Sequence, residues 1–352
     1  MAQEEKNVYR CRSCGAEVRF DVKQQKFLCT ACRAEYAVGT EGAVVAEKNF
    51  DIQRMLVSSA ELAGVKAAKC GSCGGEIFFS ENETASRCPM CGASQLREDA
   101  AKVIIRPDGV VPFRIDAQDA QQSFRKFLTK RFFAPSALKS AFEEGRLEGW
   151  YLPFWTFDAR ADGSYSGEGG RDILVERNGQ KVSETLWTPV SGGVRKDFDD
   201  VLVCAAGESS RKMVGDIDRY DTHAAKPYAP EYLQGYLAEY RSMEAEPAFA
   251  QAQREMISEL ESQARSDIRS RGFTSDRFLR VRADFTNVTC KNLLLPVYRA
   301  RYNFEGKLYD YIINGQTGQV SAHYPKSALK IILTILAAAI VIAAIVMLVK
   351  MR

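Results

Sequence analysis

Histidine is nearly missing from this chain: 352 residues carry two, His223 and His323. Neither stands in an HExxH frame or beside neighbours that would complete a nucleophilic triad, which excludes the commonest hydrolase arrangements. A basic surplus is missing too. The formal net charge is +3 with cysteines counted as thiols, whereas proteins that grip phosphate backbones carry a clear positive excess. The glycine-rich stretch 163–170 lacks the Lys-Ser/Thr of a phosphate loop and reads as a flexible turn between strands. The acidic pairs Asp199-Asp200 and Asp216/Asp218 have nothing to orient them as acid and base, and read as turn residues. The first residues, from Met1 to Lys6, hold no apolar run of the signal-peptide kind. Together these absences predict a protein that is not an enzyme and whose soluble part faces the cytoplasm.

Cysteine, by contrast, is plentiful and patterned. Cys11-x2-Cys14 is followed fourteen residues later by Cys29-x2-Cys32, and Cys70-x2-Cys73 fourteen residues later by Cys88-x2-Cys91. The two sets are offset by 59 residues and share one spacing, an internal duplication. Two close pairs joined by one metal make a tetrahedral four-thiolate site with no position left for water, so the expected cofactor is structural Zn²⁺ at two sites. The same thiolates would also hold iron. In the first copy Val18, Phe20 and Val22 alternate, Gln24-Gln25 can turn, and Phe27-Leu28 return, a β-hairpin between knuckles. In the second copy residues 76–79 lead out and 84–87 return. Gly15 and Gly74 follow the first knuckles and Gly92 the second knuckle of copy two, where copy one has Arg33. Cys204 and Cys290 are left over as buried thiols.

Charge around the ribbons is modest. Residues 1–36 hold seven Lys/Arg against five Asp/Glu, and residues 67–98 three against four. A Zn(Cys)₄ unit adds about −2 to each, which leaves them near zero and about −3. Protein contact therefore suits them better than nucleic acid.

Residues 331–349, opening on Ile331 and closing on Val349, carry no charge and only Thr334 as a polar residue. At ~1.5 Å per residue they reach roughly 28 Å, close to the ~30 Å of a hydrocarbon core. Lys326, Lys330, Lys350 and Arg352 flank them and can snorkel to headgroups. Ala339 and Ala343 are small enough for two such helices to approach, giving a possible homo-oligomer.

Between ribbons and anchor, Asp116 should cap a helix carrying Phe124, Phe127 and Leu128, and a second helix should start near Pro135-Ser136 and end at Gly145. Strands are expected at 150–159, 173–177, 182–189, 201–205, 278–289, 293–302 and 308–313, with turns at 304–307 and 314–318. A helical hairpin should interrupt them, with arms at 232–240 and 247–272. Leu152-Pro153-Phe154-Trp155 and Leu295-Pro296-Val297-Tyr298 look like equivalent strands. Arg265 to Arg282 form a basic concentration broken by Asp267 and Asp276, an ordinary solvated face unless it lies near anionic lipid. The expected fold is thus α+β. Two zinc-ribbon hairpins fill 1–36 and 67–98, joined by a linker with a short helix at 37–66. A central antiparallel-sheet domain covers 99–327, with its helical hairpin near 228–272, and a single transmembrane helix occupies 328–350.

This ordered combination resembles a bacterial group of membrane-anchored double zinc-ribbon (TFIIB-type) proteins, often labelled primosomal-helicase-like. The likeness rests on Cys-Gly-Ser-Cys-Gly and Cys-Pro-Met-Cys-Gly within 70–92, Tyr-Leu-Pro-Phe-Trp-Thr-Phe-Asp at 151–158, and Phe-Asp-Asp-Val-Leu-Val at 198–203. It extends to Leu-Pro-Val-Tyr at 295–298, Ile-Asn-Gly-Gln-Thr-Gly at 313–318 and the terminal anchor. No helicase motor is encoded. The resemblance implies assembly with membrane scaffold proteins and a phage-shock-type coat protein in envelope-stress systems. The reading is a cytoplasmic, membrane-tethered adaptor for protein–protein assembly. The alternative is a membrane-associated nucleic-acid binder or transcription regulator that uses the first ribbon through Lys23 and Lys26.

Overall fold

From 148 to 204 aromatic, β-branched and small residues recur, and the chain forms strands of unusual length through the glycines and prolines among them. In the computed structural model the described residues are 11–36, 44–50, 107–138 and 147–350, apart from isolated positions, together with the backbone of three strands at 65–70, 76–80 and 96–99. In chain order the strands and helices are β1 (Val18–Asp21), β2 (Lys26–Cys29), β3 (Glu35–Tyr36), β4 (Lys48–Asn49), β5 (Val65–Cys70), β6 (Glu76–Ser80), β7 (Leu96–Asp99), β8 (Gly109–Val110), α1 (Ala117–Thr129), β9 (Glu148–Arg177) and β10 (Gln180–Cys204). They continue with α2 (Glu208–Val214), β11 (Lys226–Pro227), β12 (Leu237–Ala238), α3 (Ala245–Ser270), β13 (Ser275–Phe304), β14 (Lys307–Asn314), β15 (Val320–Ala322) and α4 (Ala328–Lys350). The fold is mixed α+β.

Among the described residues three sheets form. β1-β2-β3 and β6-β5-β7 are small antiparallel sheets, and nine strands make the third, with the order β10-β9-β13-β14-β15 along its main path. The long strands pair antiparallel, but the short contacts of β12 with β9 and β8 with β13 are parallel, so the sheet is mixed. β9 and β13 each run 30 residues, against the usual 3–10. Three register shifts interrupt the pairing, and each contains a non-glycine residue in the left-handed region: Asp200, Phe278 and Asn287. Such bulges sharpen the twist that lets a strand of this length wrap a helix.

That helix is α3. Ala245, Ala248, Ala252, Met256, Leu260, Ala264 and Ile268 form its buried stripe. They pack on Trp155, Phe157, Ala161, Tyr165, Val194 and Phe198. Twenty-six helical residues reach ~39 Å, and the strand residues from 155 to 168 reach about as far at ~3.3 Å each. Beyond Gly170 the pairing of β9 with β13 ends, and β9 and β10 continue as a two-stranded arm. On one face of that arm Val175 pairs with Val182, and Ile173 and Leu186 stand opposite Glu184 and Arg171; Ile173, Val182 and Leu186 are exposed.

Several sequence expectations are corrected. The helical hairpin is a single helix: residues 230–233 form a 3-10 turn and β12 follows, because Tyr232 and Tyr236 are drawn separately into the core. The glycine-rich stretch 163–170 is mid-strand rather than a turn. A Cβ on Gly163 would collide with the Arg282 carbonyl, and the Phe273 ring packs where a Cβ on Gly169 would stand. Glycine there answers a need for close approach, not for turning. The two Leu-Pro segments pair directly, Leu152 with Leu295 and Pro153 with Leu294. The helix expected near 135–145 shows Ser136 and Leu138 as helical, its remainder lying outside the described residues, as does the short helix of the linker. Asp116 caps α1 by accepting from the Asp119 amide at 2.8 Å. In the 313–318 segment the Asn314 side-chain oxygen Oδ1 accepts from the Gln316 and Thr317 amides. The Gln316 side chain holds both backbone groups of Asp221. That motif is a staple of the fold.

Candidate metal centre

Each Cys-x2-Cys pair of the first ribbon is a tight reversal, the first ahead of β1 and the second running from the last residue of β2 toward β3. The Gly15 amide donates to the Cys11 carbonyl and the Cys11 amide to the Ala16 carbonyl; Arg33 and Cys29 repeat this with Cys29 and Ala34. Gly15 and Arg33, at equivalent positions, have φ of +73° and +58°. Arg33 therefore adopts the conformation that glycine supplies in the other knuckle, at the steric cost of a left-handed non-glycine residue. The reversal aims backbone amides at sulfur: those of Ser13 and Cys14 donate to Cys11 Sγ at 3.3 and 3.4 Å, and that of Cys32 to Cys29 Sγ at 3.4 Å.

The hairpin then brings the knuckles together. β1 and β2 pair Val18 with Cys29 and Asp21 with Lys26, around a turn at 22–25. All four sulfurs of Cys11, Cys14, Cys29 and Cys32 lie within 4.8 Å of one another. Cys11 and Cys32 are 3.5 Å apart and Cys14 and Cys29 3.4 Å. A tetrahedron with metal–sulfur bonds of ~2.3 Å has sulfur–sulfur edges of ~3.8 Å, so the donor set fits and the cluster can hold a metal ion.

Cys11 and Cys29 are buried while Cys14 and Cys32 are exposed. The Tyr36 hydroxyl, 2.9 Å from Cys11 Sγ, is the main cause that holds that thiol down at about 5. The Cys32 amide likewise lowers Cys29. At Cys32 the Ala34 amide favours the thiolate, yet the neighbouring sulfurs of Cys29, Cys11 and Cys14 win and push it up to about 12. Without a cation, four thiolates repel one another; a divalent ion supplies the charge that lets all four ionise. Cys204 and Cys290 are separate from this cluster, and burial pushes both up to about 12, as unreactive thiols.

Of the second set, the backbone of Cys70 closes β5; its side chain and Cys73, Cys88 and Cys91 lie outside the described residues.

The ribbon is not free. Phe20 and Phe27 pack on Tyr232, with ring centroids 5.7 and 6.4 Å apart. Gln25 Nε2 donates to the Phe113 carbonyl at 2.7 Å, and Lys23 pairs with Asp116 at 2.9 Å. Lys26 pairs with Glu35 at 2.7 Å. Both lysines of the nucleic-acid alternative thus have carboxylate partners.

A second cluster escaped sequence reasoning. Glu47, Asp158 and Asp200 bring three carboxylate oxygens within 4.8 Å, and Lys291 sits among them, 3.0 Å from Asp200 and bonded to Glu47. Asp158 accepts from the Asp200 amide at 2.7 Å. Burial alone would raise Asp200, but the Thr222 hydroxyl and the Lys291 ammonium hold it below the usual carboxylate range. At Glu47, nearer the surface, burial wins and raises it. The ammonium already fills the place of a cation, so the cluster reads as an internal ion network tying the segment before β4 to the bulge of β10. Asp200 reads as a turn residue in the sequence because a bulge inside a strand leaves no pattern there.

No family model matches the chain, and no solved structure matches it. A curated relative, an uncharacterized protein YdjG of Bacillus subtilis (strain 168), is 26% identical over 323 residues, which cover 92% of this chain and 91% of that protein.

Proposed function

We propose that the protein is a membrane-tethered, cytoplasm-facing adaptor. Two structural Zn²⁺ ions would fold its ribbons, with Cys11, Cys14, Cys29 and Cys32 holding one and Cys70, Cys73, Cys88 and Cys91 the other. Its partners would be membrane scaffold or stress-response proteins of an envelope-stress complex, and its role assembly rather than turnover. The observation that carries this reading is the first cysteine cluster: all four ligand positions come from the chain, so a bound ion has no site for substrate or water. Two further facts support it. The helix Ala328–Leu348 is long and apolar enough to cross a membrane and is not buried against the protein. The arm of β9 and β10 exposes Ile173, Val182 and Leu186 on one face, apolar surface of the kind that protein partners cover.

The test is purification of the intact chain from mild-detergent membrane extracts, with metal analysis and identification of stoichiometric partners before and after chelation. Two zinc equivalents and a membrane-protein partner retained only with metal are expected. Metal-free material that retains its fold, or recovery of the full-length chain alone from membranes, would count against the adaptor. Salt-sensitive binding of nucleic acid, lost on charge reversal of Lys23 and Lys26, would instead favour the regulator reading.

A further inference from the structure

The turn after α1 is fastened to the start of α4. Lys330 Nζ donates to the Phe132 and Ala134 carbonyls at 3.1 and 2.7 Å, and the Ser327 amide to the Phe133 carbonyl at 2.8 Å. Phe132 nonetheless leaves its ring 67% exposed, with its centroid 5.9 Å from Lys330 Nζ. Phe133 packs edge-on against it at 5.3 Å. Beside them Arg131 lies over the Phe127 ring at 4.6 Å and the Tyr324 ring at 5.8 Å.

Basic residues gather in this corner. Arg125, Lys126, Lys130 and Arg131 come from α1 and its turn, Lys326 and Lys330 from the approach to α4. No Asp or Glu occurs between Ala120 and Phe133 or between Tyr311 and Lys330. In the 265–282 stretch Arg265 pairs with Glu261 and Asp276, Arg271 with Asp267, and Arg277 with Glu168. They also lie at the end of α3 near Tyr165, beyond the strand positions that face α1.

Position decides what such a corner meets. Twenty-one residues from Ala328 reach ~31 Å, about one hydrocarbon thickness, which leaves no slack to lift Lys330 far from the membrane surface. A ring within 6 Å of that ammonium then stands at headgroup level, where aromatic residues and snorkelling cations are favoured. We propose that residues 125–133 form a basic, aromatic foot that rests on the anionic headgroup surface of the same bilayer that α4 enters, with Phe132 dipping into the interface. The foot would fix the tilt of the sheet domain over the membrane, as a second contact beside the helix. It rests on the reading of α4 as a spanning helix.

The experiment places a photoreactive benzoylphenylalanine at Phe132, Leu336 or Phe278 of the full chain in phosphatidylcholine vesicles with or without phosphatidylglycerol. Leu336 reports on α4, and Phe278 is an exposed residue at the first bulge of β13, 73% accessible. Lipid adducts are expected at 132 and 336 but not at 278, with a higher yield at 132 when phosphatidylglycerol is present and a loss of that gain in Lys130→Glu/Arg131→Glu. Adducts at 336 without any at 132 would overturn the foot while leaving the anchor intact. No adduct at either would overturn both. Equal yields at 132 in neutral and anionic vesicles would overturn its electrostatic basis.

Discussion

Tyr36 and Lys291 show how single groups set the two charged centres. Tyr36 donates to the sulfur that the protein most favours as a thiolate, and a hydrogen bond to a ligand typically tunes metal affinity by about 10–100-fold. Tyr36→Phe should therefore weaken metal binding by about tenfold in competition with a chromophoric chelator, with the fold retained in the metal-loaded form. Unchanged affinity would mean that the amide donors alone tune the site. Lys291 and Asp200 are a buried pair with 10% and 7% side-chain exposure. Lys291→Met leaves the carboxylates without their cation and should cost about 3 kcal/mol in urea unfolding at neutral pH. The pH dependence follows from direction. Asp200 is held low in the folded chain, so its contribution is present above the unfolded value of about 3.9 and is lost as pH falls through its folded value. Lys291 is held high by Glu47 and Asp200 against the opposing effect of burial, so its contribution persists below about 10.4 and is lost as pH rises through its folded value. Without Lys291 the Thr222 hydroxyl remains as the stronger support against the burial of Asp200, and its carboxyl takes up a proton at higher pH than in the wild type. The difference between wild type and variant should consequently shrink as pH is lowered from 7 toward 3; a constant difference would refute the pairing.

At the scale of elements, what could be read from the sequence was local. The ribbon hairpin follows from the alternation that begins at Val18 and Phe20 and a turn at Gln24-Gln25, which the structure opens earlier, at Val22; the α1 cap follows from Asp116, and α3 from the helical arm expected at 247–272. What was misread depends on neighbours distant in sequence. Glycines 163–170 look like a turn because turns and close approach both favour glycine, and only the crossing of Phe273 and Arg282 over β9 separates the two. Tyr232 and Tyr236 have helical spacing, but one meets the ribbon and the other stacks on Phe113 at 4.1 Å. Gly163→Val tests the corrected reading. In a turn it would be tolerated. In the centre of β9 it must displace β13, so a loss of about 1–3 kcal/mol in stability is expected, read by urea unfolding of the full chain in detergent.

For the whole molecule, the decisive question is whether the first ribbon is a separate module or part of the body. Its hydrophobic side continues into the core: Val18, Phe27, Cys11 and Cys29 belong to one cluster with Phe113, Phe124, Tyr151 and Tyr298. A hairpin of this size has little core of its own, and in such units metal binding supplies folding free energy directly, on the order of 10 kcal/mol for structural zinc at neutral pH. Removing the ion should then unfold the ribbon and uncover the surface that it covers. In hydrogen exchange of the full chain in detergent, chelation is expected to expose residues 11–36 and also to speed exchange near Phe113, Tyr232 and Tyr236, while the stripe of α3, which touches none of these, keeps its protection. Restoring zinc should reverse both changes. If only residues 11–36 respond, the ribbon moves independently of the sheet domain, and the packing of Phe20 and Phe27 on Tyr232 contributes nothing to holding it.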